Sequence, residues 1–487
     1  FGSRERARLP SCPAMARLNK CASVLLFLAN ALALGDYGPE ALKDEIHVLP
    51  GAPAVPWRKF SGYVDVSPPG EAQGSRMMFY WFVESQNAPA ADPVMLWTNG
   101  GPGCSGLGGF LSEQGPFRVG SDNKTLRLNE YSWSKVANMV FIEQPVGVGF
   151  SEAKVDINYG DEQAATDNYR FVLGFFERYP QYKANDFYIS SESYGGHYMP
   201  TLARQLKLKG GVPTFRGVFL GNPLTYMMYR NFGQYGTAWG HQLLPAPLWQ
   251  RYEHAACGTT FPPSASCAEI TNEMDAILGD FDPYALDFPK CNTPEAVGHQ
   301  ERWALRRAIL RAQGRLAEEP YEPCAEDLLT AYLNRAEVQS AIHAKPGSKW
   351  SMCSDSVGSL YNATDVNSPV MAVWQELLKK GDLKVMIYSG DDDSVCATLG
   401  SQQFVWSLGF GAAKGRSWSP WKVDGQIAGF RTDFEVPSED GKGAFAFATV
   451  HGAGHMVPAT QPARSLALLR AFLGKDGEDG GSSRLVV

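Results

Sequence analysis

A serine hydroxyl attacks well only when a neighbouring base takes its proton. The residues of interest are therefore a serine on a protruding turn, with an acid and a histidine further along the chain. Residues 187–196 read FYISSESYGG, an apolar, aromatic run that stops at Ser193 among small or turn-permitting residues. A nucleophile elbow places its serine on such a strand-to-helix turn. The general pattern is G-x-S-x-G, and here Ser191 stands at the first glycine and Gly195 at the second. An ordinary turn containing Gly and Ser would read the same way, so the partners decide. In the chain order Ser, Asp or Glu, His, they are Asp391, Asp392 and Asp393 after KVMIYSG, then His451 and His455 in HGAGHMVP after FAFATV. Local pattern does not choose among three aspartates or two histidines.

Two competing chemistries fit less well. His-x-x-x-His on a helix could hold a metal, but Gly452 and Gly454 oppose a helix and no further ligand cluster accompanies the pair. No metal is expected. NGGPGCSGLGG (99–109) lacks the Lys-Ser/Thr ending of a phosphate loop. It suits a loop that donates backbone N–H groups to an oxyanion.

These groups need a scaffold. Short apolar runs ended by Gly, Pro, Asn or Ser lie at 77–85, 93–100, 139–145, 186–193 and 216–223 and read as buried strands. Helix-like stretches separate them, such as 161–180, where Phe171, Leu173, Phe175 and Phe176 make an apolar stripe. This alternation predicts an α/β protein with a mostly parallel sheet, whose sites form at strand ends. The alternation lapses after Asn222, then returns at 370–393 and at 443–458. The expected division is a core over 35–222 and 370–473, an insertion over 223–369 and a flexible tail over 474–487. Within the insertion, 301–319 carries Arg302 and Arg306 at helical spacing and reads as a solvated basic face.

The 487 residues include 44% hydrophobic, 20% charged and 12% aromatic residues, enough for a sizeable core. A net charge of −7 without a basic block argues against a nucleic-acid partner. MARLNKCASVLLFLANALALG, from Met15, has Arg17 and Lys20, then an apolar run and the small residues Ala31 and Ala33. It reads as a signal peptide over 15–34, with 1–14 as a non-native upstream segment, and its apolar run is short for a membrane span. No membrane association is expected after cleavage. Loss of Cys12 and Cys21 would leave Cys104, Cys257, Cys267, Cys291, Cys324, Cys353 and Cys396, an odd number and therefore one free thiol. Asn123-Lys-Thr and Asn362-Ala-Thr are glycosylation sequons that fit the same oxidising route.

DEIHVLPG (44–51), FSGYVDV (60–66), WTNGGPGCSG, FIEQPVGVGFS, SESYGGHYMP, YLNRAEVQSAIHA (332–344), YSGDDDSVC and HGAGHMVP follow one another along nearly the whole mature chain. In this order they resemble the serine carboxypeptidases, the group that includes yeast vacuolar, plant and lysosomal enzymes. The resemblance implies an α/β-hydrolase core with an inserted cap. It selects Asp393, the second aspartate of Gly-Asp-x-Asp, and His455, the histidine before Met-Val-Pro, as partners of Ser193. It also implies an oxyanion hole from the backbone N–H groups of Gly101 and Tyr194. The substrate carboxylate is expected at Asn99 and Glu192, supported by Trp97 and Glu113. The implied disulfides are Cys104–Cys353, Cys257–Cys267 and Cys291–Cys324, with Cys396 as a free thiol near the substrate pocket.

The implied activity is release of C-terminal amino acids from peptides or proteins through an acyl-enzyme, at acidic pH and without a cofactor. The implied location is the secretory pathway, ending in a vacuole or lysosome or outside the cell. Monomer and homodimer both fit. Ser191 departs from the glycine usual in the family, and a residue this small is expected to preserve the elbow with at most a slight loop shift. Two alternatives belong to different classes. Acyltransferases of the family, which use sugar esters, tend to lose the Asn and carry Asp in place of the Glu, and this chain keeps Asn99 and Glu192. A silent protective or binding partner would be expected to lose a triad member, and none is lost.

Overall fold

Strands buried on both faces are written as uninterrupted apolar runs, because helices cover a parallel sheet from either side. The computed structural model describes residues 37–291, 321–438 and 441–475. The segments 1–14 and 15–34, the basic stretch 301–319 and the tail beyond Lys475 lie outside the described residues.

The strands are β1 (Lys59–Asp65), β2 (Arg76–Val83), β3 (Val94–Thr98), β4 (Phe117–Val119), β5 (Leu126–Leu128), β6 (Asn138–Ile142) and β7 (Glu152–Ala153). They continue as β8 (Phe187–Ser193), β9 (Phe215–Pro223), β10 (Lys384–Gly390), β11 (Ser419–Val423), β12 (Gln426–Phe434) and β13 (Ala444–Val450). The main sheet runs β1-β2-β6-β3-β8-β9-β10-β13-β12-β11, with β7 paired to β2, while β4 and β5 form a separate hairpin. From β6 to β13 every neighbouring pair is parallel. The flanking pairs are antiparallel.

Alternate residues feed two cores. Val94, Leu96, Phe187, Ile189, Val385 and Ile387 enter one cluster, joined by Phe171, Phe175 and Leu202 from helices Asp161–Arg178 and Gly195–Lys209. Met95, Trp97, Tyr188, Met386 and Tyr388 enter the other, with Leu469 and Phe472 from helix Pro462–Leu473. β3, β8, β9, β10 and β13 all end on the same edge of the sheet, so their following loops converge there.

Helices fill the described part of the stretch between β9 and β10. Tyr235, Leu248, Tyr252, Ile270 and Met274 form a small apolar cluster of their own. Leu329, Tyr332, Leu333, Val338 and Trp350 instead enter the second sheet core. This latter part is pinned to the strand ends: Ser105 N donates to Met352 O at 2.8 Å and Trp350 Nε1 to Glu143 Oε1 at 2.6 Å. Glu143 also accepts from Phe150 N at 2.6 Å. Its burial pushes its carboxyl up to about 7 despite these donors.

Candidate active site

β8 carries Ser193 to the middle of the converging loops. Its φ of +59° is the left-handed conformation expected of a nucleophile on a sharp turn. The pairing of β8 with β9 slips between Glu192 and Ser193, and Leu224 N then donates to Ser193 O at 2.7 Å. Close approach requires the glycines around it. A Cβ on Gly100 would meet Tyr194 N at 2.4 Å and Ser193 Cβ at 2.8 Å, and one on Gly196 would meet Leu224 O at 2.0 Å.

Ser191 fits the elbow because its Oγ turns away to donate to Thr98 O at 2.7 Å. A Cβ at Gly195 would lie 2.1 Å from that oxygen, so Ser191 depends on the glycine four residues later. Helix Gly195–Lys209 begins immediately after Tyr194, and its N-terminal partial positive charge faces the same point. Gly101, at φ +113°, lies on the loop after β3 in the same cleft.

The structure separates the aspartates and histidines that local sequence left open. His455 Nδ1 lies 2.8 Å from Asp393 Oδ2, with the side chains 3% and 0% exposed. His451 Nδ1 lies 2.8 Å from Asp391 Oδ2, with the side chains 68% and 39% exposed. Only the first pair is walled off from water, and only His455 lines the cleft with Ser193. A carboxylate accepts, so the Asp393 contact puts the proton on Nδ1 and leaves Nε2 as the basic nitrogen. Asp393 also accepts from Asn222 Nδ2 at 2.7 Å, Val395 N at 2.6 Å and Cys396 N at 3.2 Å.

Sequence reasoning missed Asn222. It is the penultimate residue of β9, at φ +36°, and its Oδ1 accepts from Gly390 N at 3.1 Å. An Asn next to the end of a buried strand was the available signal, since Asn tolerates this backbone and can bridge to the next strand. A second missed cluster lies beneath the elbow. Asp161 accepts from Tyr194 Oη at 3.0 Å and Tyr361 Oη at 2.8 Å, and its other oxygen lies 2.9 Å from His197 Nδ1. The His197 ring stacks on Tyr194 at 4.6 Å. Tyr194, the residue after Ser193, is thereby held by its own ring.

Asn99 organises the carboxyl groups. Its Nδ2 donates to Glu113 Oε1 at 2.9 Å and to Glu192 Oε1 at 2.8 Å, while its Oδ1 accepts from Trp97 Nε1 at 2.9 Å and Gly109 N at 3.0 Å. Trp97 and Gly109 thus fix which way the amide points. Burial raises Glu113. Burial, then the neighbouring Glu113, pushes Glu192 well above the usual carboxyl range. Two carboxyl groups without a cation between them hold a proton more tightly than either would alone.

The disulfides Cys104–Cys353, Cys257–Cys267 and Cys291–Cys324 are formed. Cys396 is the free and buried cysteine among the described residues. Burial pushes its thiol up, so it is protonated beside Ser193. Asn123 sits at φ +48° between β4 and β5, and Asn362 is exposed, its Oδ1 accepting from Thr364 N at 2.8 Å. Two groups of potential metal ligands occur among the described residues, Cys291 with Cys324 and Asp327, and His241 with Asp287 and Asp392. The first contains a disulfide rather than thiolates. In the second, Asp392 accepts from Asp287 N at 3.1 Å, and burial pushes its carboxyl up to about 7.

Ser193, His455, Asn99, Glu113, Glu192 and Cys396 line one cleft of about 800 Å³. An elbow at the end of a central parallel strand, with an acid after β10 and a histidine after β13, is the α/β-hydrolase arrangement.

Comparison with known proteins agrees. The family model described as serine carboxypeptidase matches residues 50–475, and the chain belongs to that family. It is 37% identical over 450 residues to serine carboxypeptidase-like 22 of Arabidopsis thaliana, covering 89% of this chain and 93% of that one. It is 35% identical over 448 residues to serine carboxypeptidase 24 of the same plant, covering 89% and 92%. Among solved structures it resembles Kex1(delta)P, a prohormone-processing carboxypeptidase from Saccharomyces cerevisiae. That match has a TM-score of 0.71 at 21% identity and covers 92% of this chain and 100% of that one. No helix among the described residues is long and apolar enough to cross a membrane.

Proposed function

We propose that this protein is a serine carboxypeptidase that removes C-terminal amino acids from peptides, with Ser193, His455 and Asp393 as its triad. The observation that carries this reading is the Asn99–Glu113–Glu192 cluster, buried and opening into the same cleft as Ser193. An esterase or endopeptidase has no need of such a group. An exopeptidase must receive a free carboxylate, and a site that already holds a shared proton can donate it to that carboxylate.

In the reaction Ser193 Oγ attacks the last peptide carbonyl as His455 Nε2 takes its proton. The oxyanion accepts from Gly101 N and Tyr194 N, two donors set in place before charge develops. His455 then protonates the departing amine, and water, activated by the same nitrogen, releases the acyl group. Asp393 holds the imidazole in the required tautomer throughout. Trp97 positions Asn99. The described residues of 223–291 and 321–369 act as the cap that bounds the cleft.

Acid conditions keep the shared proton in place, and the disulfides suit the secretory pathway with a vacuolar, lysosomal or extracellular destination. Asn123 and Asn362 are the glycosylation sites of that route. The test is hydrolysis of blocked dipeptides by the wild type and by Ser193→Ala. Release of the last residue by the wild type alone is expected. Release by both, or acyl transfer from a sugar ester with no peptide cleavage, would overturn the reading.

A further inference from the structure

The sheet order assigns sides to the cleft. Ser193 ends β8, with β3 on one side and β9 then β10 on the other. Asn99 follows β3, so the carboxylate cluster lies on the β3 side. The leaving amino acid belongs there under the function proposed above. The residue whose carbonyl is attacked must then extend the other way, over the loops after β9 and β10.

Leu224, Val395 and Cys396 come from those loops and Arg230 from the helix Met227–Gly240 that follows β9, and all four line the same cleft. Cys396 is tied to the triad through its N–H on Asp393 and a contact between its thiol and Ser193. Arg230 is near enough that its charge works against the upward shift of the Cys396 thiol. The guanidinium therefore lies close to the acyl side of Ser193.

What distinguishes Arg230 is its lack of an anion. It is half-buried, and its side chain makes one long hydrogen bond, Nη1 to Asn231 Oδ1 at 3.4 Å, with no carboxylate in ion-pair distance among the described residues. The carboxylates around it are taken. Asp393 faces His455, and Glu192 is engaged by Asn99 on the β3 side. Asp275, across a smaller cavity of about 310 Å³ that Arg230 also lines, accepts from Tyr235 Oη at 3.1 Å. Asp282 is engaged with Tyr321 and lies near Lys290. A partly desolvated arginine with no carboxylate partner among the described residues favours an anion that arrives with the substrate.

We infer that the enzyme selects peptides whose penultimate residue is acidic, with Arg230 receiving that side-chain carboxylate. The inference rests on the carboxypeptidase reading for its peptide form, but ester substrates separate the two. An amino-acid ester acylates Ser193 with no need of the carboxylate cluster, yet it still presents its side chain to Arg230.

The experiment compares kcat/KM for blocked dipeptides ending Glu-Phe, Gln-Phe and Lys-Phe, and for the matching blocked Glu, Gln and Lys ethyl esters. It is run at about pH 6, above the ordinary glutamate pKa of about 4.3. The wild type should favour Glu over Gln by about tenfold or more in both series, the discrimination of one hydrogen-bonded charge. Arg230→Gln should bring the Glu/Gln ratio close to one, and Arg230→Glu should turn the preference toward Lys. Ratios taken within each variant are insensitive to any general loss of activity. Equal rates for Glu and Gln in the wild type, or a preference that survives Arg230→Gln, overturn the inference. Discrimination among esters with no dipeptide cleaved overturns the carboxypeptidase reading while supporting the role of Arg230. A protein inert toward both series overturns both.

Discussion

Asp393 Oδ2 is shared between His455 Nδ1 at 2.8 Å and Asn222 Nδ2 at 2.7 Å, so the same oxygen orients the imidazole and is itself held by a neighbouring strand end. A few residues away, Asp391 and His451 repeat the first contact at the same distance but in water. Similar geometry with opposite exposure lets each pair act as a control for the other.

Asp393→Asn should lower kcat by about 10⁴-fold, because an amide can donate to Nδ1 and so favours the wrong tautomer. Asp391→Asn removes a solvated contact and should change kcat less than about threefold. Steady-state kinetics of both variants on one substrate checks this. Equal losses would mean that burial does not distinguish the pairs.

Asn222 touches Asp393 and not the reacting atoms, so it acts by positioning. Asn222→Ala should cost about 10-fold to 100-fold in kcat, the range for a hydrogen bond to a charged group, with KM nearly unchanged. Asn222→Asp, which cannot donate to Asp393 when ionised, should recover activity as the pH falls. A loss confined to KM would contradict the positioning role.

Folding stability should fall as pH rises from about 4 to about 7. Glu143 and Asp392 each have a carboxyl raised by burial to about 7. In the unfolded chain they titrate near about 4, so between these values the folded state binds more protons. Their favourable contribution is complete below the unfolded value and is lost as pH passes through the folded one. Thermal unfolding should show Tm higher at about pH 5 than at about pH 7.5, by a few degrees. Glu143→Gln should flatten the slope; an unchanged slope in that variant would exclude Glu143 as its source.

The parallel centre was legible because β3, β6, β8, β9, β10 and β13 are buried on both faces and must be apolar throughout. The edge strand β11 and its neighbour β12 were not, since their half-exposed residues and Gly429 blur the alternation. Residues 325–350 read as part of an insertion, yet Leu329, Tyr332 and Trp350 pack into the sheet core through contacts distant in sequence. The proposed triad illustrates the same division. Residue types and chain order limited the acids to three and the bases to two, but the choice depends on burial, which local sequence does not encode. Asn222 was invisible because its role comes from the register that sets the end of β9 beside β10.

Under the proposed function, a proton shared by Glu113 and Glu192, beside Asn99, receives the free carboxylate of a peptide. The direct measurement is kcat and KM from about pH 4 to pH 8 for a blocked dipeptide with a free C-terminus and for its amide. Below the raised carboxyl values the proton is present and can be donated to the substrate; as pH rises through them it is lost and the site repels a carboxylate. KM for the free acid should therefore climb with pH while that for the amide stays nearly flat, and Glu192→Gln, which keeps a donor at every pH, should weaken the climb. A KM for the free acid that is flat over the whole range, or a profile unaltered in Glu192→Gln, would contradict carboxylate recognition through the shared proton.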